Sequence, residues 1–193
     1  MGKLGFYFDA TYCTGCKTCQ VACKDKNRLD VGTIFRQVKD YEVGEYPNAS
    51  IYHVSLSCNH CENPACVADC PQGAMYIAED GTVLHDAELC IGCKACTLAC
   101  PYGAPKYIEA AGKVSKCDGC AAIRAAGGNP VCVDACPMRV LEFGDLDELA
   151  AKHAGENLTK DIAVLPDSSR TNPSILINAK PCMSDESAVE VYL

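Results

Sequence analysis

Sixteen of the seventeen cysteines in this 193-residue chain fall into four groups of four, and that arrangement limits what the chain can fold into more than any other feature. The groups are Cys13, Cys16, Cys19, Cys23; Cys58, Cys61, Cys66, Cys70; Cys90, Cys93, Cys96, Cys100; and Cys117, Cys120, Cys132, Cys136, with only Cys182 outside them. The first and third share the spacing C-x2-C-x2-C-x3-C. Three groups end in Cys-Pro, at Cys70-Pro71, Cys100-Pro101 and Cys136-Pro137. Proline there removes a backbone donor and turns the chain away from the cysteine. Hydrophobic residues make up 49% of the sequence, but that figure counts the cysteines. Without them only about 40% is left for a conventional core, with no Trp, nine Tyr and four Phe. Something besides apolar burial must hold the fold.

Three chemistries use cysteine at this density. A disulfide scaffold needs an oxidising compartment, and the sequence shows no export signal of its own ahead of Cys13. Cysteines two residues apart are also poorly placed to bridge one another in such numbers. Zinc ribbons use C-x2-C pairs separated by a longer loop, which the fourth group, with eleven residues between Cys120 and Cys132, imitates alone. The third cysteine of each C-x2-C-x2-C triplet has no place in that scheme. The spacing is that of iron-sulfur ligation in bacterial ferredoxins, where three thiolates of a run hold one 4Fe-4S cluster and the fourth crosses to a neighbouring one. Such binding is folding energy, so the chain without its clusters is not expected to hold its structure. Cys182, between Pro181 and Met183, reads as an ordinary thiol, and His60, inside the second group, reads as a neutral packing or surface residue rather than one that tunes a cluster.

Read against itself, the sequence is duplicated. Asp9-Ala10-x-x-Cys13-x-Gly15-Cys16-Lys17-x-Cys19-x-x-Ala22-Cys23 recurs as Asp86-Ala87-x-x-Cys90-x-Gly92-Cys93-Lys94-x-Cys96-x-x-Ala99-Cys100, and Asn63-Pro64-Ala65-Cys66-Val67 recurs as Asn129-Pro130-Val131-Cys132-Val133. Between groups two and three, Ala74 to Ile77, a turn at Glu79-Asp80-Gly81 and Thr82 to Leu84 predict a β-hairpin joining one two-cluster unit, residues 58–100. The other unit must come from both ends, residues 1–57 and 101–155. In it, Leu4 to Phe8 and Val140 to Phe143 are expected to pair like a hairpin whose turn has been cut. With each fourth cysteine crossing over, cluster 1 takes Cys13, Cys16, Cys19 and Cys136, and cluster 2 takes Cys23, Cys117, Cys120 and Cys132. Cluster 3 takes Cys58, Cys61, Cys66 and Cys100, and cluster 4 takes Cys70, Cys90, Cys93 and Cys96.

The expected architecture is therefore α+β: two pseudo-symmetric, cluster-stabilised ferredoxin-like units with irregular loops and, from 156 to 193, an extended C-terminal tail crossing the surface. Asp145 predicts a cap on a short helix over 146–154, stopped by Gly155, and Ser174 to Ile177 predict a short strand. Residues 24–57 read as a long loop whose Tyr41, Tyr46 and Tyr52 pack locally. The net charge of −8 argues against nucleic acid, and four oxidised clusters at about −2 each would take it to about −16. Gly15 and Gly92 let backbone N–H groups come close to such charged sulfur. No run approaches eighteen apolar residues, so direct membrane insertion is not expected. The sequence carries no nucleophile-base constellation, phosphate loop or dinucleotide fingerprint, leaving one-electron transfer as its chemistry.

The motifs Cys13-Thr14-Gly15-Cys16-Lys17-Thr18-Cys19, Ser57-Cys58-Asn59-His60-Cys61-Glu62-Asn63-Pro64-Ala65-Cys66, Cys100-Pro101-Tyr102-Gly103-Ala104-Pro105 and Lys116-Cys117-Asp118-Gly119-Cys120 closely resemble the four-cluster subunit of the dimethyl sulfoxide reductase group of molybdopterin oxidoreductases, over about residues 4 to 180. The resemblance implies a non-catalytic electron conduit bound to a large molybdenum or tungsten pterin subunit, and often to a quinol-oxidising membrane subunit. It implies 4Fe-4S at all four sites, since Cys96 stands where nitrate-reductase-type relatives carry Trp. In similar subunits the cluster of the first motif faces the catalytic partner. Location is expected to be cytoplasmic or peripheral at the membrane, with export only if a partner bearing a twin-arginine signal carries the folded protein. A free-standing polyferredoxin is the alternative within the same chemistry, and a zinc or metal-storage protein the alternative outside it.

Overall fold

Because apolar runs in this sequence are short, its regular elements are short too. The computed structural model describes residues 2–192. In chain order the elements are β1 (Leu4–Asp9), α1 (Thr18–Lys26), β2 (Gln37–Val43), β3 (Ser50–Leu56), α2 (Ala65–Ala68), β4 (Met75–Ile77), β5 (Val83–His85), α3 (Ala95–Ala99), β6 (Lys106–Ile108) and β7 (Lys113–Ser115). There follow α4 (Ala121–Ala125), α5 (Val131–Asp134), β8 (Leu141–Asp145), α6 (Leu146–Lys152), β9 (Leu158–Thr159), β10 (Ile175–Asn178) and β11 (Val189–Val191). They form a four-stranded sheet in the order β8-β1-β10-β9, a three-stranded sheet β11-β2-β3, and the two hairpins β4-β5 and β6-β7. This is a mixed α+β protein. Among the described residues no helix is long and apolar enough to cross a membrane.

β1 is the strand around which the rest is built. Its Leu-Gly-Phe-Tyr-Phe run is apolar without alternation, the pattern of a strand covered on both faces, and Phe6, Tyr7 and Phe8 are all buried. On one edge β8 runs antiparallel, with Phe6 opposite Phe143 and Phe8 opposite Leu141. The expected cut hairpin is therefore present, closed between strands more than 130 residues apart in sequence, Leu4 lying opposite Asp145. The hairpin between cysteine groups two and three is present as well, Met75 opposite His85 and Ile77 opposite Val83.

The segment after 155 departs from the surface tail expected. It is extended but not peripheral, because β10 takes the free edge of β1 in parallel register, Phe6 beside Ile175 and Phe8 beside Ile177. An unpaired edge on so apolar a strand would expose a row of N–H and C=O groups; β10 covers it, and Ile177 is 0% exposed. Met183 is likewise buried, and β11 pairs with β2 through Val191, so this part of the expected surface tail is hydrogen-bonded into a sheet. Residues 24–57 also differ from the loop expected: β2 and β3 form a full hairpin, with Tyr41 directly opposite Tyr52 and their rings stacked 5.4 Å apart. Both rings are buried local packing, whereas Tyr46 is exposed.

Asp145 caps α6 as its position suggests, its Oδ1 accepting from the N–H groups of Asp147 at 3.0 Å and Glu148 at 3.3 Å. The helix stops at Lys152, two residues before Ala154, because His153 is held elsewhere. Its ring stacks on Tyr7 at 3.7 Å and its nitrogens meet Glu156 at 2.8 Å and Glu142 at 3.1 Å. The helices α2 to α5 are four or five residues long, far below the length at which a helix persists on its own. What they pack around must supply their stability.

If residues 156–192 are structural rather than peripheral, Ile177→Ala should cost about 2–5 kcal/mol. Anaerobic denaturation of the cluster-loaded protein measures it; a surface tail would give a change near zero.

Candidate metal centres

α1 buries Cys19 and Cys23, α2 Cys66, α3 Cys96 and α5 Cys132, and α4 starts directly after Cys120. α1 begins after Lys17 and α3 after Lys94, both residues in the left-handed conformation at φ 61° and φ 64°, preceded by Gly15 at φ +67° and Gly92 at φ +70°. The sequence repeat is thus a repeat of backbone conformation. Side chains at these glycines would collide, at Gly15 with the His53 ring 2.5 Å away and at Gly92 with the Gly112 carbonyl oxygen 2.3 Å away.

The thiols gather into four sets of neighbours, each combining cysteines from two sequence groups. Burial pushes Cys13 up to about 11; the Gly15 N–H opposes this, while the sulfurs of Cys19, Cys136 and Cys16 add to it. Cys23 is pushed up to about 12 by burial and by Cys117, Cys132 and Cys120, against the opposing charge of Arg36. Cys66 rises to about 12 through burial and through Cys58, Cys100 and Cys61, with Lys116 opposing. Cys96 is raised by burial and by Cys70, Cys90 and Cys93. So many thiolates packed together in low dielectric cannot stay ionised without a compensating cation.

Three of the sets stand around a cavity, one lined by Cys70, Cys90, Cys93 and Cys96, one by Cys13, Cys16, Cys19 and Cys136, and one by Cys58, Cys61, Cys66 and Cys100. Among the described residues no three His, Cys, Asp or Glu side chains converge as ligands of a single ion would. Thiols standing around a cavity suit a polynuclear iron-sulfur group bound at its corners better than one zinc ion.

Donors complete the sites. Burial would raise Cys70, but the N–H groups of Met75, Gln72, Ala74 and Gly73 outweigh it and hold the thiol below its ordinary value. Cys16 is also lowered, first by the Thr18 hydroxyl, which donates to its Sγ at 3.4 Å. Gly119 N–H donates to Cys117 Sγ at 3.4 Å, Asn27 Nδ2 to Cys23 Sγ at 3.6 Å, and Ser55 Oγ lies 3.4 Å from Cys19 Sγ. Such hydrogen bonds are among the protein's means of setting a cluster's potential.

Several of these residues escape a sequence reading. Arg36 and Lys116, 1% and 5% exposed, are buried cations beside the cysteines, and Lys116 Nζ donates to the carbonyl oxygens of Val83 and, at 2.9 Å, Cys117. The Thr171 hydroxyl, from the C-terminal segment, offsets part of the burial of Cys61. Only a polar residue within an apolar run, as in Ile34-Phe35-Arg36, hints at any of them. His60 is a packing residue, wholly buried between Phe6 and Phe143, with Nδ1 accepting the Val83 N–H at 3.0 Å. Burial first, then Lys116 and Arg124, keep it neutral. Its backbone N–H, not its ring, serves Cys58. Cys182 is half-buried against the main core and belongs to none of the four sets.

A ferredoxin-like arrangement of thiols on short helices and hairpins, with N–H donors turned to sulfur, defines an iron-sulfur electron-transfer protein. The 4Fe-4S dicluster domain family matches residues 49–146 and a 4Fe-4S binding domain matches residues 10–28. The sequence is 46% identical over 191 residues to the B subunit of anaerobic dimethyl sulfoxide reductase from Escherichia coli strain K12, covering 93% of this protein and 92% of that one. It is 43% identical over 143 residues to the thiosulfate reductase electron transfer subunit of Salmonella typhi, covering 72% and 74%. It is 35% identical over 180 residues to the B subunit of polysulfide reductase from Wolinella succinogenes, covering 91% and 93%. The protein belongs to this family of iron-sulfur B subunits of molybdopterin oxidoreductases, and is a non-catalytic electron-transfer subunit rather than a free-standing polyferredoxin.

Because each set joins residues distant in sequence, substitution can trace it. Cys23→Ser should perturb the same electron paramagnetic resonance signal as Cys117→Ser and a different one from Cys13→Ser; a signal shared by Cys23 and Cys13 would mean that each sequence group closes on its own cluster.

Proposed function

We propose that the protein carries four 4Fe-4S clusters in the crossed sets. Cluster 1 is held by Cys13, Cys16, Cys19 and Cys136, cluster 2 by Cys23, Cys117, Cys120 and Cys132, cluster 3 by Cys58, Cys61, Cys66 and Cys100, and cluster 4 by Cys70, Cys90, Cys93 and Cys96. Bound there, they supply reversible one-electron transfer. Residues 58–100 and the combined segments 1–57 and 101–155 act as two ferredoxin-like units, clasped by the segment 156–192.

The observation that carries this reading is the continuity of the four thiol sets. Arg36 lies beside both Cys19 and Cys132, linking the first set to the second. Cys23, Cys58 and Cys117 share one buried cluster with Phe35 and Ala104, linking the second to the third. Cys66 and Cys96 share another with Met75, Val83 and Val114, linking the third to the fourth. The two cysteines exposed to solvent are Cys16 and Cys93, one in each terminal set. Apolar side chains stand out near both, Tyr12 and Val21 at one end, Ile91 and Leu98 at the other. A buried path with an open, apolar-rimmed thiol at each end suits a conduit between two partners.

Cluster 1 faces a large molybdenum or tungsten pterin subunit. Cluster 4 faces the electron donor or acceptor, a quinol-oxidising membrane subunit or a soluble carrier. Attachment to the membrane, where it occurs, runs through that partner. The relatives' names share small sulfur compounds, and a substrate of that class is assigned to the catalytic partner here.

Anaerobically purified protein should contain about sixteen iron and sixteen acid-labile sulfide per molecule, and Cys182→Ser should leave both unchanged. A content near twelve overturns the four-cluster assignment. In the intact complex, Cys96→Ser should impair exchange with the physiological donor while sparing turnover driven by a dye that reduces the large subunit directly. Loss of dye-driven turnover with Cys96→Ser, together with its survival in Cys13→Ser, would reverse the polarity.

A further inference from the structure

Arg36 is the most deeply buried charged side chain whose partners include no carboxylate. It is 1% exposed, and among the described residues no Asp or Glu pairs with it. Nη1 donates to the Ser55 carbonyl at 3.2 Å and to Ser55 Oγ at 3.1 Å, and Nη2 donates to Ser57 Oγ at 2.9 Å. Its guanidinium carbon sits 4.5 Å over the Phe6 ring of β1. Nε has no hydrogen-bond partner among the described residues. Neutral partners and one unsatisfied N–H do not compensate the burial of a full positive charge. An anion must.

The groups around it identify that anion. Ser55 Oγ, which accepts from Nη1, lies 3.4 Å from Cys19 Sγ. Burial disfavours the cation, yet the sulfurs of Cys132, Cys19, Cys117 and Cys23 more than restore it. Cys19 belongs to the first set and the other three to the second, so the guanidinium stands where the two sets meet.

We propose that the Arg36 guanidinium, fixed by Ser55, Ser57 and Phe6, is the charge that sets the reduction potentials of clusters 1 and 2 and eases electron passage between them. Adding an electron makes a thiolate-bound cluster more negative, and a fixed cation nearby stabilises that form, so the potential rises. The transfer itself moves one electron from one cluster to the other; no bond breaks and no proton moves. Because Arg36 lies near both sets, reaching the first through Ser55, it raises both potentials together and limits the energy step between them. Arg36 is thus a positioning residue for the electron, not a ligand. This inference rests on the four-cluster reading of the previous subsection.

The test is a redox titration of the full-length protein in its complex, followed by electron paramagnetic resonance, on wild type, Arg36→Gln and Arg36→Lys. Wild type is first checked for sixteen irons; fewer means that the four-cluster reading has failed, whatever Arg36 does. With sixteen present, Arg36→Gln should lower the potentials of clusters 1 and 2 by at least a tenfold change in the oxidised-to-reduced ratio at fixed potential, about 59 mV for a one-electron couple. Cluster 4 should stay unchanged. Arg36→Lys keeps the charge and should recover most of the shift. No shift in a fully loaded Gln variant, or equal shifts at all four clusters, overturns the proposal. If the Gln variant loses iron, the Lys variant decides: full loading with potentials near wild type for clusters 1 and 2 supports the assignment. Loss of iron from both variants would assign Arg36 to folding alone and overturn it.

Discussion

The structure depends on the repulsion that sixteen thiolates gathered into four sets, most of them buried, would suffer without positive charge among them. Cys13, Cys23, Cys58 and Cys66 are all pushed up to about 11 or 12 by burial and by their neighbours, so thiolates there need a positive core among them. An iron-sulfur core supplies that charge and also fills the space between the sulfurs. The four- and five-residue helices around them are what a cluster-centred fold requires: enough turn to aim one cysteine inward from the helix or its first flanking residue, and too little to stand without the centre they enclose.

A conventional core exists beside these centres and does a separate job. Phe6, Phe8, Leu141, Ile175 and Ile177 close one sheet from the first, middle and last parts of the sequence. That sheet brings Cys136 beside Cys13, although 122 residues separate them in sequence. The packing of β1 between β8 and β10 therefore decides which cysteines share a site, and the C-terminal segment, by covering the open edge of β1, holds the arrangement shut. It also delivers Thr171 to the neighbourhood of Cys61. Stability and electron path are linked through this strand.

Charge is managed in layers. Backbone N–H groups crowd Cys70 enough to outweigh its burial, and hydroxyl and amide donors reach Cys16, Cys19 and Cys23. Two buried cations complete the balance, Arg36 where the first and second sets meet and Lys116 beside Cys58 and Cys66. An acidic surface with cations in the interior inverts the usual distribution. It follows from placing the most negative groups of the molecule at its centre.

The sequence by itself determined the chemistry. Cysteine spacing is a local property, fixed by how many residues are needed to wrap a cluster corner, so iron-sulfur ligation, the duplication and the β4-β5 hairpin were all legible. The cut hairpin was legible as well, because Val140 to Phe143 follows the fourth cysteine group as the first hairpin strand follows the second, and Leu4 to Phe8 precedes the first group as the second hairpin strand precedes the third. What the tertiary structure alone decided were the non-local partners of modest segments. Ile175 to Asn178 is a short strand whose importance comes wholly from the free edge of β1. The β2-β3 connection carries turn residues at Gly44, Pro47 and Asn48, but the strands on either side mix charged with apolar residues, so the segment read as loop. Arg36 reads as one more surface arginine until Ser55, Ser57 and Phe6, from distant parts of the sequence, close around it. Spacing is written in consecutive residues, whereas burial depends on which distant segments come to lie alongside.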